Sequence, residues 1–327
     1  MSLKKLQRQF VMQVQGATQT HIFSSPLTLD FETTLASWQS IDEGYFSLYN
    51  LSQSSRTDIY QDWNDQALSI NGYRRISLWA GYLSWVPESR QNLSPIQNKG
   101  FYPLIFTGHI RSAYSSRQGP NWITQIEAWD GGYESNQSEV SASLAKNATF
   151  LQRANYLASQ IPGISIGWID PSLGQGSAYS KFISRGVSYS GSAMSQLQII
   201  ADAVGAQVNI SLGKLYMAAT GTTVPESILP VSFNTISSET GLINTPIRQK
   251  FFITVEMLFE PRIVPLQKIA LVSEDVENNF APGTAVASAG SQQYKVAGIS
   301  HSGIISDGAA GDLITTPVLW YGGANGI

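Results

Sequence analysis

The residues best equipped for chemistry gather in one short segment. "GHIRSAYSSRQGPNWITQIEAWDGG" (108–132) carries His109, Arg111, Glu127 and Asp130, an imidazole, a guanidinium and two carboxylates that would suit an acid–base cluster awaiting a substrate. The chain has only three histidines, and the other two, His21 and His301, stand far away in sequence. None belongs to an H-x-H or H-E-x-x-H arrangement, and cysteine is absent. Zinc chemistry needs closely placed nitrogen or sulfur ligands, so no metal is expected and each histidine is read as a surface or strand-end residue. "DIYQDWND" brings Asp58, Asp62 and Asp65 together, yet the sixth position counted from Asp62 is Ala67, where a calcium loop needs glycine. A solvated loop is expected there, with a non-standard calcium site as the alternative.

Nucleophiles fare no better. "GISHSG" (298–303) has Ser302 where a nucleophile elbow places its second glycine, and no helical pattern follows. The expectation is a strand ending in a turn at Ser302-Gly303. "GAAGDL" (308–313) lacks the lysine and hydroxyl residue of a phosphate-cradling loop and reads as a turn. Paired carboxylates are harder to exclude, because a glycosidase needs only two, and 8 Trp and 14 Tyr offer stacking surfaces for sugars. Aromatic residues also fill β-domain cores and interfaces. A carbohydrate-binding or glycan-hydrolysing β-protein acting on the cell envelope therefore stays open as the alternative.

The segment 108–132 must itself be positioned by something, and its alternation indicates two strands. If 118–120 form the connection, Ile110 faces Ala128, Ser112 faces Ile126, and Tyr114 faces Thr124. That register puts Leu104, Phe106, Ile110, Ile126 and Ala128 on one apolar face. Arg111 then lies opposite Glu127, Ala113 opposite Gln125, and His109 opposite Trp129. A slip of one residue would mix apolar and charged groups on both faces. This reading makes the segment a wall in which Arg111 and Glu127 form a cross-strand ion pair, not a catalytic cluster.

The surrounding chain is of the same kind. Residues 1–135 read as all-β: a first strand at Phe10–Met12 running into alternation, then Leu27–Phe31, Tyr45–Leu51, Ile76–Leu83, Leu104–Tyr114 and Trp122–Trp129. A turn or two of helix fits Leu51–Tyr60, and 86–100 has the composition of an exposed loop. Residues 136–220 change character. Asn147 is a plausible cap for a helix carrying Leu151, Ala154, Leu157 or Ala158, and Ile161, ended by Pro162-Gly163 and followed by the strand "ISIGWI". The pattern repeats as "GVSYS", a helix with Ala193, Leu197, Ile200, Ala201 and Val204 on one side, and "AQVNI". A duplicated strand–helix–strand unit is expected, closed by a hairpin through Ser211–Gly213 into "KLYMA". Residues 221–321 return to β, with Phe251, Ile253, Val255, Met257 and Phe259 on one face of "FFITVEMLF" and Thr254 and Glu256 on the other. "KIALVS", "QYKVAGISH" and "DLITTPVLWY" add strands, and 322–327 read as a flexible tail.

Bulk properties narrow the function classes. The 327 residues suffice for two or three domains. Charged residues make up 13%, well under the roughly 25% of a typical soluble domain, and uncharged polar residues fill the gap, which suits a surface largely covered by partners. A net charge of −3 with no Lys/Arg run beyond two argues against broad electrostatic binding of nucleic acid. The opening "MSLKKLQRQFVMQVQG" lacks the apolar stretch of a secretion signal, and no apolar run approaches the ~18 residues that span a bilayer. Synthesis in the cytoplasm and no membrane association are expected.

Three stretches carry a resemblance. "LIFTGHIRSAYSSRQGPNWITQIEAWDGG" resembles a hairpin that closes the first β domain of baseplate hub proteins of contractile-tailed bacteriophages. "GLINTPIRQKFFITVEMLFEPRI" and "YKVAGISHSGIISDGAAGDLITTPVLW" are similar to that family's second and third signatures, in the same order. None is a catalytic motif. The resemblance implies a mainly β fold with an α+β insertion: two tube-protein-like β-barrel domains (1–135 and 221–321) flanking a small α+β domain (136–220). It also implies a structural homotrimer in the virion tail baseplate. That hub would join the sixfold tail tube to the threefold spike, contact wedge proteins, and line a channel that DNA traverses during ejection without specific binding. No catalytic residue, cofactor or metal is implied, and the partner-interface residues are not identified.

Overall fold

The computed structural model describes residues 7–36, 41–62, 74–132, 138–175, 186–229, 233–249, 251–273, 276–278, 292–306 and 311–320. The expected tail (322–327), the turn residues 308–310 and Asp65 lie outside them. The first third folds as β1 (Arg8–Gln15), β2 (Thr20–Ser24), β3 (Leu29–Ala36), β4 (Asp42–Tyr49), β5 (Arg75–Tyr82), β6 (Leu104–Gln118) and β7 (Asn121–Asp130), with helix α1 (Gln53–Ile59) after β4. The middle holds β8 (Glu139–Leu144), α2 (Phe150–Ser159), β9 (Ser165–Ile169), β10 (Val187–Ser192), α3 (Ala193–Asp202), β11 (Ala206–Ser211) and β12 (Lys214–Ala219). The last third contributes β13 (Thr235–Ile236), β14 (Ile247–Arg248), β15 (Phe252–Thr254), β16 (Met257–Leu258), β17 (Lys268–Leu271), β18 (Glu277–Asn278), β19 (Gln292–Ile305) and β20 (Leu313–Trp320). The chain is mainly β.

One sheet runs through both ends of the sequence, in the order β18-β14-β15-β20-β19-β3-β4-β7-β6-β5-β1-β2. Its long strand β19 joins two cores. The second half of β19, from Gly298 to Ile305, pairs with β3, whereas Gln292–Lys295 pair with β17. Alternation decides which side chains turn inward: Leu29, Phe31 and Leu35 of β3 and Phe46 and Leu48 of β4 are buried, with polar residues between them. They join Phe10, Met12, Ile76, Leu78, Phe106, Ile110 and Ile126 in a first core. Phe46 and Phe106 meet edge-on there with ring centroids 5.4 Å apart, each burial contributing about 2–3 kcal/mol. The first core also takes in Phe259, Ile305 and Leu313 from the end of the chain. A separate core gathers Ile236, Ile253, Val255, Met257, Ile269, Leu271, Val296 and Leu319.

The middle segment follows the strand–helix–strand order twice and has its own core. β8 pairs with β10, β11 with β12, and β12 runs parallel to β9. The first of its helices starts later than the sequence indicated. Asn147 sits at φ +68 before the helix, and Thr149 is the cap, its hydroxyl accepting from the Gln152 N–H while the Gln152 side chain accepts from the Thr149 N–H. This reciprocal pairing satisfies two otherwise orphaned donors, which Asn147 cannot reach.

Three further expectations are corrected. β19 does not end in a turn at Ser302-Gly303 but continues to Ile305. Gly303 lies at φ +141, and an added Cβ would fall 2.0 Å from the Asp312 carbonyl oxygen, so glycine lets β20 approach the strand instead of breaking it. The "FFITVEMLF" strand is split into β15 and β16, and Phe251, expected inside, is 58% exposed, while Ile253, Val255, Met257 and Phe259 are buried as anticipated. The β6–β7 hairpin turns through Gly119-Pro120 alone, and its register changes partway. His109 faces Trp129 and Ile110 faces Ala128, but from Ser112 onward the pairing shifts by one, so that Ala113 faces Ile126 and Tyr114 faces Gln125.

The extra residue is Arg111, and its position has a physical reason. The two-residue turn imposes one register, in which Arg111 would share the inward face with Ala113 and Ile126. Burying an unpaired guanidinium is prohibitive, and the bulge removes it from that face. Ile110, Ala113, Ile126 and Ala128 all stay in the core, with Ile105 joining them and Leu104 only half-buried. The backbone groups freed by the bulge find partners on Gln61, whose side-chain amide donates to the Ile110 carbonyl at 2.7 Å and whose backbone exchanges two bonds with Ala113.

Candidate functional site

The bulge turns Arg111 outward, where its Nη1 lies 2.6 Å from Glu127 Oε1 and its guanidinium sits 4.2 Å above the Trp129 ring. The ion pair is partly exposed and contributes at most about 1 kcal/mol. His109 accepts from Arg75 Nε at 3.2 Å on the neighbouring strand. The four polar residues of 108–132 therefore do not converge: Arg111 and Glu127 brace the outer face, His109 joins Arg75, and Asp130 turns inward.

The remaining histidines also have structural duties. His21 Nε2 lies 2.7 Å from Asp58 Oδ2, and Asp58 Oδ1 accepts from both the backbone and hydroxyl of Thr18. The His21 hydrogen bond, aided by those from Thr18, pulls the Asp58 carboxyl down to about 2, and the cluster ties the β1–β2 turn to α1. His301 is the exception to the surface reading. It is wholly buried beside Phe259, with Nδ1 2.9 Å from Thr315 Oγ1, and burial pushes its imidazole down to about 3. The outward and inward alternation of β19 selects this side chain, because Ile299, His301 and Ile305 face inward while Ser300 and Ser302 do not. Among the described residues no three metal-ligating side chains come together, and no helix is long and apolar enough to cross a membrane.

What the structure does bring together is a seam where the first core, the middle segment and the last third meet. Its central element is the β11–β12 hairpin, whose tip, Leu212-Gly213, has both residues at positive φ. Leu212 packs against the first core, and the Gly213 N–H donates to Asp130 Oδ2 at 2.8 Å. Gly131, next in the chain, is at φ +74 and leaves room for Ile210, whose Cβ would be 2.9 Å from any side-chain carbon placed there. The "WDGG" end of the opening segment is thus a socket for this hairpin.

Opposite Asp130 on β4 stands Asp42, fully buried. Burial, and next the charge of Asp130, push the Asp42 carboxyl well above the usual carboxylate range, against the opposing pull of the Ala36 N–H and the Ser211 hydroxyl. Two carboxylates this close cannot both be comfortably ionised. Their burial, 0% and 3% exposed, sets them apart from a glycosidase pair, which must reach a sugar.

A second brace crosses the seam at Glu260 and Arg262. Glu260 is wholly buried, and its two oxygens each lie 2.6 Å from an Arg262 nitrogen. Its backbone N–H donates to Thr315 Oγ1, the hydroxyl that also meets His301. Arg262 in turn lies over the Trp85 and Phe233 rings, and the Tyr82 hydroxyl donates to the Phe259 carbonyl. A third tie is Lys295, buried in β19, which donates to the Thr220 carbonyl at 3.0 Å and is pushed down to about 8 by burial. Sequence reasoning singled out none of Asp42, Glu260, Arg262 or Lys295, although Glu260 and Arg262 stand within "MLFEPR". No signal in a single sequence distinguishes a buried ion pair at i, i+2 from a solvated one.

The arrangement described holds distant parts of the chain together. A family model described as "Baseplate hub gp41" matches residues 9–278, while no curated protein sequence matches. Among solved structures, the 43 kDa tail protein of prophage MuSo2 from Shewanella oneidensis superposes with a TM-score of 0.55 at 8% identity, covering 95% of this chain and 98% of that one. The tail protein from Neisseria meningitidis MC58 does so with a TM-score of 0.52 at 12% identity, over 95% and 96%. A chain of the Francisella PdpA-VgrG complex gives 0.51 at 8% identity, over 98% of this chain and 54% of its own. At these identities the likeness is one of fold.

Proposed function

The chain belongs to the Baseplate hub gp41 family, structural proteins of the phage tail baseplate, and we propose that three copies form a ring joining the tail tube to the central spike. The observation that carries the reading is the shared sheet. Because β19 and β20 contribute to both β cores, one sheet joins the two, and a trimer would present six β units to a sixfold tube and three repeats to a spike. The seam ties add the stiffness that a load-bearing adaptor requires. The sequence division into 1–135, 136–220 and 221–321 serves as the domain scheme of this proposal.

The mild negative charge, −3 per chain, suits a channel that DNA must traverse without adhering. The outer strands β2 and β18 end the sheet path and offer backbone hydrogen bonds to tube, spike or wedge neighbours. In this reading the protein is a non-enzymatic component of a contractile tail, located in the virion baseplate and made in the host cytoplasm. Size-exclusion chromatography with light scattering tests it. The expected mass is about 107 kDa, three times the 35.6 kDa chain, either alone or on addition of the spike. A chain that stays monomeric with both tube and spike present would overturn the proposal.

A further inference from the structure

We propose that the tip of the β11–β12 hairpin and its "WDGG" socket form a proton-operated latch between the middle segment and the first core: a proton on Asp42 holds the tip seated, and its loss lets the tip leave while the cores stay folded. Asp42 and Asp130 face each other across β4 and β7. The tip closes over them, Leu212 packing against the first core while the Gly213 N–H donates to Asp130 Oδ2 at 2.8 Å. Neither carboxyl is open to water, and Ser211 beside them is buried too. Asp42 is poorly supplied with donors. Its Oδ1 accepts from the Ala36 N–H at 2.8 Å, but its Oδ2, equally buried, accepts no hydrogen bond. The Ser211 hydroxyl, which exerts some pull on this carboxyl, is itself left without a hydrogen bond. An ionised carboxylate offers about four acceptor sites, whereas a protonated one brings a donor of its own. A buried anion with a single donor is costly, so this environment suits the protonated form, with Ser211 at hand to accept.

The charges around the latch point the same way. Among the described residues, the charge that acts on Asp42 is that of Asp130 on β7, and it opposes ionisation. β3 contributes the Ala36 N–H, and the hairpin contributes Ser211. Lys214 at the hairpin end is exposed, and His109 of β6 is joined to Arg75. Seated, Asp42 is held well above the ordinary carboxylate range by burial and then by Asp130; unseated, it meets water and ionises as an ordinary carboxylate. The seated state therefore carries a proton that the open state releases. Its contribution is fully present below about pH 3.8 and is lost as pH rises through the seated value. One proton raises the open fraction about tenfold per pH unit across that window and then no further. Opening stays local because the rest of the hairpin has other anchors. Val208, Leu215 and Met217 lie in the middle core, β12 pairs with β9, and the Thr220 carbonyl is held by Lys295.

Thiol labelling of the full chain tests this. The chain has no cysteine, so Leu212→Cys places a single thiol at the tip. Its rate of reaction with dithiodipyridine, divided at each pH by that of the same thiol in a free peptide of the hairpin sequence, reports the open fraction. The range is about pH 4.5 to 7.5, below the value of about 8 at which Lys295 gives up its own proton. The ratio is expected to rise about tenfold per pH unit from the low end of the range until the seated carboxyl ionises, with the far-ultraviolet dichroism unchanged. Asp42→Asn has no proton to lose at this place, so in that background the ratio should stay low and flat. The proposal is overturned if the ratio is flat with Asp42 present, if Asp42→Asn shows the same rise, or if labelling increases only as the dichroism is lost. Should the cysteine itself unseat the tip, seen as labelling as fast as the peptide's at the lowest pH, exchange of the Gly213 amide decides on the same slope. It is read by NMR in the native chain and in Asp42→Asn. The latch lies within one chain, so its failure is distinguishable from failure of the trimer proposal.

Discussion

Replacing Asp42 by Asn should stabilise the protein, by an amount that grows with pH. Asn has the shape of a protonated Asp, keeps the acceptor that Asp42 Oδ1 offers to the Ala36 N–H at 2.8 Å, and places no second charge opposite Asp130. Because the folded state raises the Asp42 pKa above 3.8, the folded chain holds that proton more tightly than the unfolded chain does. Its contribution is therefore fully present below about pH 3.8 and is lost as pH rises through the folded pKa. One proton gives a slope of about 1.4 kcal/mol per pH unit across that window, and a plateau above it. The stability difference between Asp42→Asn and the native chain should climb at that slope and then level, the break marking where the Asp42–Asp130 pair loses its proton as a unit. Urea unfolding followed by tryptophan fluorescence at half-unit steps from about pH 4.5 to 9 measures it. Exchange protection of the Gly213 amide, which donates to Asp130, should follow the same curve if the hairpin tip is what the extra charge loosens. A difference that stays flat, with the variant less stable by about 1 kcal/mol or more at every pH, would mean that Asp42 is ionised in the fold and that the argument from burial is wrong.

Two other perturbations probe the same seam. His301 is held neutral by burial, so the folded chain loses stability as pH falls from 6.5 toward about 3, at about 1.4 kcal/mol per unit. His301→Gln should flatten the acid limb of the stability curve by that slope, as read by urea midpoints between pH 6.5 and 4. Glu260→Ala leaves the Arg262 guanidinium half-buried between two aromatic rings and should cost about 3 kcal/mol, somewhat less in so far as water reaches Arg262. Adding Arg262→Met should recover at least about 1 kcal/mol of that loss; a double-mutant cycle with no coupling would show the pair to be incidental.

Individual residues show where sequence reading succeeds. Alternation over Leu27–Phe31 placed Leu29 and Phe31 of β3 inside, and the spacing in "SAMSQLQIIADAV" (192–204) placed Ala193, Leu197, Ile200 and Ala201 of α3 inside, because period-2 and period-3.6 patterns are local consequences of backbone geometry. The same logic placed Ile110 and Ile126 on one face and paired Arg111 with Glu127. It missed the bulge, because the register imposed by the two-residue turn and the register wanted by the apolar pattern disagree, and only the cost of burying Arg111 resolves the conflict. It missed the Thr149 cap by two residues, since several polar residues near a helix start compete for that place.

The sequence by itself determined most of the long strands, the helices and the apolar faces that most of them bury. It did so because each of these depends on residues a few positions apart. Tertiary structure alone decided which polar groups leave water. His301, Asp42, Glu260 and Lys295 have neighbours in sequence that do not distinguish them from surface residues. They are buried because β3, β4, β19 and the β11–β12 hairpin, tens to hundreds of positions apart, close over them. Burial then sets their charge and makes them the ties of the seam.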